Sequence, residues 1–436
     1  MGREKCHRFC SQMTSCYLQT VQKTYIQCLF NRLAEYSLQW GMVVNTDKTV
    51  AMIFNRKGEY IDRSFMYNGA PVRTVKSAVY LGIVFVPSGV FTEPQTQMAQ
   101  KANRALSAIK RALLRDKDCA LQPKTALRVF DIYVKPILLY GCQIWGPSSL
   151  RKMSVNNGDP HVSNLSDLNV TEAIHTTQFC KYILGVYENT SNVAVRCELG
   201  RIPMEYDIKL AIAKYWHRLT LLPEEHILNQ ALRENIALDD RRKNVWVTCA
   251  KSILQKNGLG FMCVNRGLDF NLCKLKSVLY DQHQQRVHEE LFNDNVKVGT
   301  GSKLRTFRNY ANAPNKMENY LNDVNKFKNR KPFSKLRLSS HQLAIETGRH
   351  TNTPVNERRC AFCPENIEHE IHFVSECKLY DTLRKTLYHN ISKEIHSFEE
   401  YSPENKLKIL MQPHGKVAVL VTHFVREAFL TRKAYN

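Results

Sequence analysis

The chain has 436 residues, 43% of them hydrophobic, which is enough for two or three domains with real cores and argues against wholesale disorder. No apolar run reaches the eighteen or so residues of a membrane span, and MGREKCHRFCSQM at the start lacks a signal-peptide core. An intracellular protein, nuclear or cytoplasmic, with no membrane partner is therefore expected. Lys and Arg number 62 against 40 Asp and Glu, a formal charge of +22, and this favours a polyanionic partner because neutralising phosphates releases counterions.

In chain order, residues 18–40 read as one amphipathic helix. Its apolar face is Leu18, Val21, Tyr25, Leu29, Leu33, Tyr36 and Trp40, and Gly41 stops it. MVVN and VAMIF read as short strands around the turn NTDKT, and VKSAVYLGIVFV (75–86) is another strand-like run. TQMAQKANRALSAIKRALLRD follows as a strong helix, apolar on Met98, Ala102, Ala105, Leu106, Ile109 and Leu113. Much of its remainder is basic, with Lys101, Arg104, Lys110 and Arg111. KTALRVFDIYVKPILLYGCQIWG gives a second helix kinked at Pro136, and a polar loop is expected near 150–168. From 170 to about 295 the pattern is helical again.

Residues 297–340 carry eleven Lys or Arg against two acids, interleaved with Phe307, Tyr310, Tyr320, Phe327 and Phe333. Cations alternating with aromatics are what single-strand binders use, and a solvated basic linker is the plainer alternative. The candidate contacts here are Lys328, Arg330, Lys331, Lys335 and Arg337.

Of the 14 cysteines, Cys28, Cys142, Cys180, Cys249 and Cys273 sit in apolar or helical contexts and read as reduced. Cys360, Cys363 and Cys377 instead cluster with histidine in CAFCPENIEHEIHFVSEC. Cys-x2-Cys is a short turn that aims two thiolates at one ion, and a following His and Cys complete a tetrahedron suited to zinc. His369 and His372 both fit by spacing. Four protein ligands leave no open position, so the site is expected to be structural. Glu368, His369 and Glu370 are candidate supporting partners of the ligands.

The order of these segments resembles the C-terminal part of the reverse transcriptase of non-LTR (LINE-type) retrotransposons. The resemblance rests on LAEYSLQWGMVVNTDKTVAMIF, with its Asn-x-x-Lys-Thr segment, on the Tyr80-Leu81-Gly82 hairpin and on PILLYGCQIWG. It continues through SKLRLSSHQLAIETGRH to ERRCAFC and HFVSEC. In that family the histidine before Phe is the zinc ligand, which selects His372 beside Cys360, Cys363 and Cys377. The resemblance implies an α+β, mostly helical chain in five parts. These are a palm remnant (1–94), a helical thumb (95–150), a helical connector (151–296), the basic aromatic tract (297–350), and the zinc knuckle with closing helices (351–436). It also implies RNA and DNA as partners, with Lys48 near an incoming triphosphate, Tyr80 and Gly82 at a primer terminus and the cations of the 96–117 helix along the backbone of a template–primer duplex.

Polymerase chemistry needs paired carboxylates holding two Mg2+ ions, which the family supplies ahead of the first helix. Here that stretch is CHRFCSQMTSC, and the first Asp is Asp47. The expectation is therefore a truncated, catalytically inactive reverse-transcriptase-like chain that retains nucleic-acid binding and structural zinc. Mg2+ is expected only where the missing site is present. The competing readings are an active polymerase clipped at its N-terminus and a zinc-knuckle protein-interaction module.

Overall fold

A computed structural model describes residues 23–55, 57–89, 91–113, 122–147, 173–243, 245–264, 272–292, 303–311 and 316–435. The loop expected at 150–168 lies outside them. The fold is α+β and mostly helical, with small mixed sheets near the N-terminus and a Cys/His cluster near the C-terminus. Among the described residues no helix is long and apolar enough to cross a membrane. The chain divides into two compact units, one running up to Gln97 and taking in Pro223–Ala231, the other made of Met98–Leu222 and Leu232 onward.

In the first unit, helix α1 (Lys23–Gln39) packs on a three-stranded sheet of β1 (Val50–Ala51), β2 (Phe65–Tyr67) and β3 (Ala70–Thr74) in the order β1-β3-β2. β1 runs parallel to β3, and β2 pairs antiparallel with it through a two-residue turn at Asn68–Gly69, both at positive φ. Such turns match the twist of the flanking strands. The hairpin β4 (Ala78–Tyr80) and β5 (Ile83–Phe85) turns the same way on Leu81 and Gly82, at φ 49 and 78°.

Two expectations change here. The buried face of α1 is Ile26, Phe30, Leu33, Ala34 and Ser37, closing on Phe65, Tyr67 and Val72, whereas Trp40 is 63% exposed. The sheet sits one residue round from the predicted stripe. MVVN forms no strand, and VAMIF contributes only the two residues of β1.

The second unit opens inside α2 (Thr92–Leu113), at Met98, and this helix buries Met98, Ala102 and Leu106 as its periodicity predicts. Next come α3 (Pro123–Tyr133) and α4 (Lys135–Leu138), separated at Val134 where Pro136 blocks continuation. A wide helical turn at Ala173–Cys180 leads into α5 (Lys181–Leu184), ended by Gly185. α6 (Asn192–Glu198) is capped by Ser191, whose side chain accepts from the Ala194 amide. Long helices α7 (Met204–Leu221), α8 (Ile227–Asp240), α9 (Trp246–Lys256) and α10 (Leu272–Phe292) make up the middle of the chain.

The described part of 297–340 is not a linker. It folds as α11 (Arg305–Tyr310), α12 (Tyr320–Asp323) and α13 (Phe327–Arg337). Of the interleaved aromatics, Phe307, Tyr320 and Phe333 are core residues at most 1% exposed, while Tyr310 and Phe327 are half-buried. α14 (Ala344–His350), the hairpin β6 (Arg359–Cys360) with β7 (Cys363–Ile367), then α15 (Asp381–Ser392), α16 (Pro403–Met411) and α17 (Gly415–Tyr435) complete the unit. One apolar core runs from Ala102 and Phe130 through Phe333 and Cys360 to Val421 and Val425.

Candidate metal centre

Strands β6 and β7 pair Cys360 directly opposite Cys363 across the Ala361–Phe362 turn, which puts both thiols at one end of the hairpin. The chain then makes a wide helical turn over His372–Glu376, closed by the Cys377 amide donating to the His372 carbonyl at 2.8 Å. His372 and Cys377 thereby face the hairpin thiols. The four donor atoms of Cys360, Cys363, His372 and Cys377 all lie within 4.8 Å of one another, and all four residues are buried.

Sulfur chemistry narrows what this cluster is. Cys360 Sγ and Cys377 Sγ stand 3.8 Å apart. A disulfide would bring them to about 2 Å, whereas two thiolates at about 2.3 Å from one tetrahedral ion stand roughly 3.8 Å apart. Burial pushes the Cys377 thiol up to about 12, reinforced by Cys360 and Cys363 and opposed by a hydrogen bond from the Leu379 amide. Ionising the Cys377 thiol here therefore calls for a cation beside it.

The imidazole gives the second test of fit. His372 Nδ1 lies 3.3 Å from Glu376 Oε2, while its Nε2 is buried without a hydrogen-bond partner. A proton held on Nδ1 by the carboxylate leaves the Nε2 lone pair for an ion, and a buried imidazole nitrogen with neither use would be costly. His369 is excluded by the same accounting, because its Nδ1 accepts the His372 backbone amide at 3.0 Å. The set is a Cys3His cluster geometrically capable of coordinating a metal ion.

The supporting residues differ from those expected. Glu376, one turn after His372, orients the ligand. It was absent from the predicted set of Glu368, His369 and Glu370, although its i,i+4 spacing is visible in the sequence. Glu368 instead takes a two-pronged contact from Arg432 of α17, at 2.8 and 2.9 Å, and accepts the Ala344 amide. Glu370 is bound by His341 at 3.0 Å and Arg305 at 2.8 Å. Burial alone would raise its carboxyl, but these two partners outweigh it and hold it at about 2. Arg384 of α15 donates to the carbonyls of Val374 and Cys377, and Phe373 stacks on Phe429 with centroids 4.5 Å apart. The ligand turn is thus fastened on both sides to closing helices.

The expected nucleic-acid residues fall into three groups. Lys48, Tyr80 and Gly82 belong to the first unit. Lys48 is exposed in a turn, Gly82 is exposed at the β4–β5 turn, and Tyr80 packs near Phe85. Lys101, Arg104 and Arg111 are exposed on α2, and Lys328 and Lys331 are exposed on α13. Half-buried Lys110 lies over the Tyr182 ring at 4.6 Å, and Lys335 over Tyr187 at 3.7 Å.

Arg330 and Arg337 leave the predicted surface, at 2% and 1% exposed. Arg330 donates to the carbonyls of Val324 and Asn325, and Arg337 is bound to Glu198 and Glu318. A buried guanidinium needs such partners, and these two are spent on the fold. Tyr182 and Tyr187, each 43% exposed, carry these lysines over their rings and were not singled out in the sequence. Compared with known proteins, the chain matches no family model, no curated protein and no solved structure.

Proposed function

We propose that this chain is a zinc-braced nucleic-acid-binding protein, similar in kind to the C-terminal part of a non-LTR retrotransposon reverse transcriptase. The observation that carries the zinc assignment is the buried Cys3His cluster with His372 Nε2 left for an ion. Three thiolates and one imidazole are a zinc donor set, and four protein donors make the ion a cross-link rather than a reagent. Cys360, Cys363, His372 and Cys377 hold it, and Glu376 keeps the imidazole in the binding tautomer. The partner class is supported by the charge of +22 and by the exposed cations of α2 and α13.

In this reading the first unit corresponds to a palm remnant and α2–α4 to a thumb. The stretch ahead of α1 offers no Asp pair, so this chain alone does not extend a primer. Three measurements test the proposal. Metal analysis should find one zinc per chain, lost on changing Cys360 and Cys363 to Ser. RNA and DNA binding should weaken steeply with salt. Primer extension with Mg2+ should give no product. Binding that is absent, or indifferent to salt, would refute the nucleic-acid reading in favour of a protein-interaction role.

A further inference from the structure

We infer that the surface around Tyr182 and Tyr187 is a binding site for single-stranded nucleic acid. Bases stack on the two tyrosines, and a phosphodiester enters the polar cavity beside Tyr187. The inference rests on the nucleic-acid reading above and goes beyond it by naming the strand form and the place.

Helix α5 ends at Gly185, whose φ is +68°. A Cβ there would come within 2.8 Å of Lys331 Cγ and 2.9 Å of Phe327 Cζ, so glycine lets α13 lie directly on this turn. That close approach lays the Lys331 stem along the segment and sets Lys335 over the Tyr187 ring. From the other direction α2 delivers Lys110 to the Tyr182 ring. Two helices far apart in sequence thus supply cations to two exposed rings that flank the buried Ile183 and Leu184. In this site each lysine takes one face of its ring and a base takes the other, with the ammonium placed for the phosphate that follows.

Beyond Tyr187 lies a cavity of about 210 Å³ lined by Ser191, Lys303, Ser339, Ser340, Gln342 and His350, among others. Hydroxyl, amide and cationic groups of this kind suit a phosphodiester with its waters. Glu346 also lines it, but its carboxylate is bound by Arg305 at 2.7 Å. Glu188 is exposed next to Tyr187, so charge there is not uniform and the ring faces must do part of the holding. A duplex keeps its bases stacked inside and offers nothing to the tyrosines, which selects single strands.

The test is fluorescence anisotropy on the full chain with labelled oligo(dT) and oligo(U) of about 15 nucleotides, beside a duplex of equal length. Tyr182→Ala and Tyr187→Ala should each weaken single-strand binding about tenfold and leave duplex binding unchanged, while Tyr→Phe at either position keeps wild-type affinity. Lys331→Gln with Lys335→Gln should flatten the salt slope on single strands by about 1.4. If wild type binds single strands and the Tyr→Ala variants match it, this site is wrong and the broader reading stands. If wild type binds neither probe, both fail. Should a Tyr→Ala variant melt early, the Tyr→Phe and lysine variants decide. Unchanged salt slope in the lysine pair then overturns the site.

Discussion

Arg337 and Glu198 form a two-pronged ion pair at the centre of the second unit, at 2.8 and 3.1 Å, with both side chains at most 1% exposed. Glu318 meets the same guanidinium at 2.8 Å, and the Tyr320 hydroxyl donates to Glu198 at 2.7 Å. Burial opposes the charge on Arg337, but the two carboxylates outweigh it and hold the group above its ordinary value. The arginine also donates to the carbonyls of Tyr310 and Met411, so one side chain links α6, the turn before α12, α13 and the end of α16.

Removing one member of such a network strands the others in low dielectric. Arg337→Ala should lower stability by about 3–5 kcal/mol. Replacing the charged set together, with Arg337→Met, Glu198→Leu and Glu318→Leu, should recover most of that loss, because buried charge is costly even when paired. Denaturant unfolding of the single and triple variants checks this, and a triple variant as weak as the single one would contradict it.

Chelation should lower the thermal transition of the whole second unit, since the ligands belong to its common core. The loss should be on the order of several kcal/mol and reverse on adding zinc. A chelated protein that melts like the loaded one would mean the cluster holds no structural ion.

Glu376→Gln should leave the fold intact while weakening zinc binding about 10- to 100-fold, read by competition with a chromophoric chelator. Glu370→Gln is the contrasting control. It disturbs the contacts with Arg305 and His341, and its effect should show in stability more than in metal affinity.

Acid should weaken the packing of α7 against α10. Glu205 lies 2.6 Å from Lys209 and 3.0 Å from Arg286. Burial alone would raise its carboxyl, but the two cations outweigh it and hold it below the usual value. A depressed carboxyl contributes stability above the unfolded value, about 4.3, and loses it as pH falls through the folded value. Urea midpoints should therefore drop below pH 5, and Glu205→Gln should remove about 0.5–1 kcal/mol of that dependence.

Helix periodicity carried much of the reading. The buried faces of α2 and the break at Pro136 were visible because apolar spacing and proline sterics are local. The cluster residues Cys360, Cys363 and Cys377 were legible for the same reason, since a Cys/His set of this kind is written in short spacings. Long-range packing was not legible. Nothing local distinguishes Lys331, which is exposed, from Arg330 beside it, which is buried. The partners of Arg330 and Arg337 come from folding, and the basic tract looked like surface because composition ignores burial. The lysine–ring pairs at Tyr182 and Tyr187 were not legible because the lysines lie more than seventy residues away on one side and nearly 150 on the other.

The shared core has a consequence for synthesis. Helix α13 packs against α12, which contacts α3, and α17 covers α12, α13 and α15. As the chain leaves the ribosome, the apolar faces of α12 and α13 are made well before Val421 and Val425 of α17 arrive to cover them. A nascent chain halted anywhere before α17 therefore exposes a sticky half-core, and a premature stop codon near residue 400 should yield a product that chaperones hold and proteases remove.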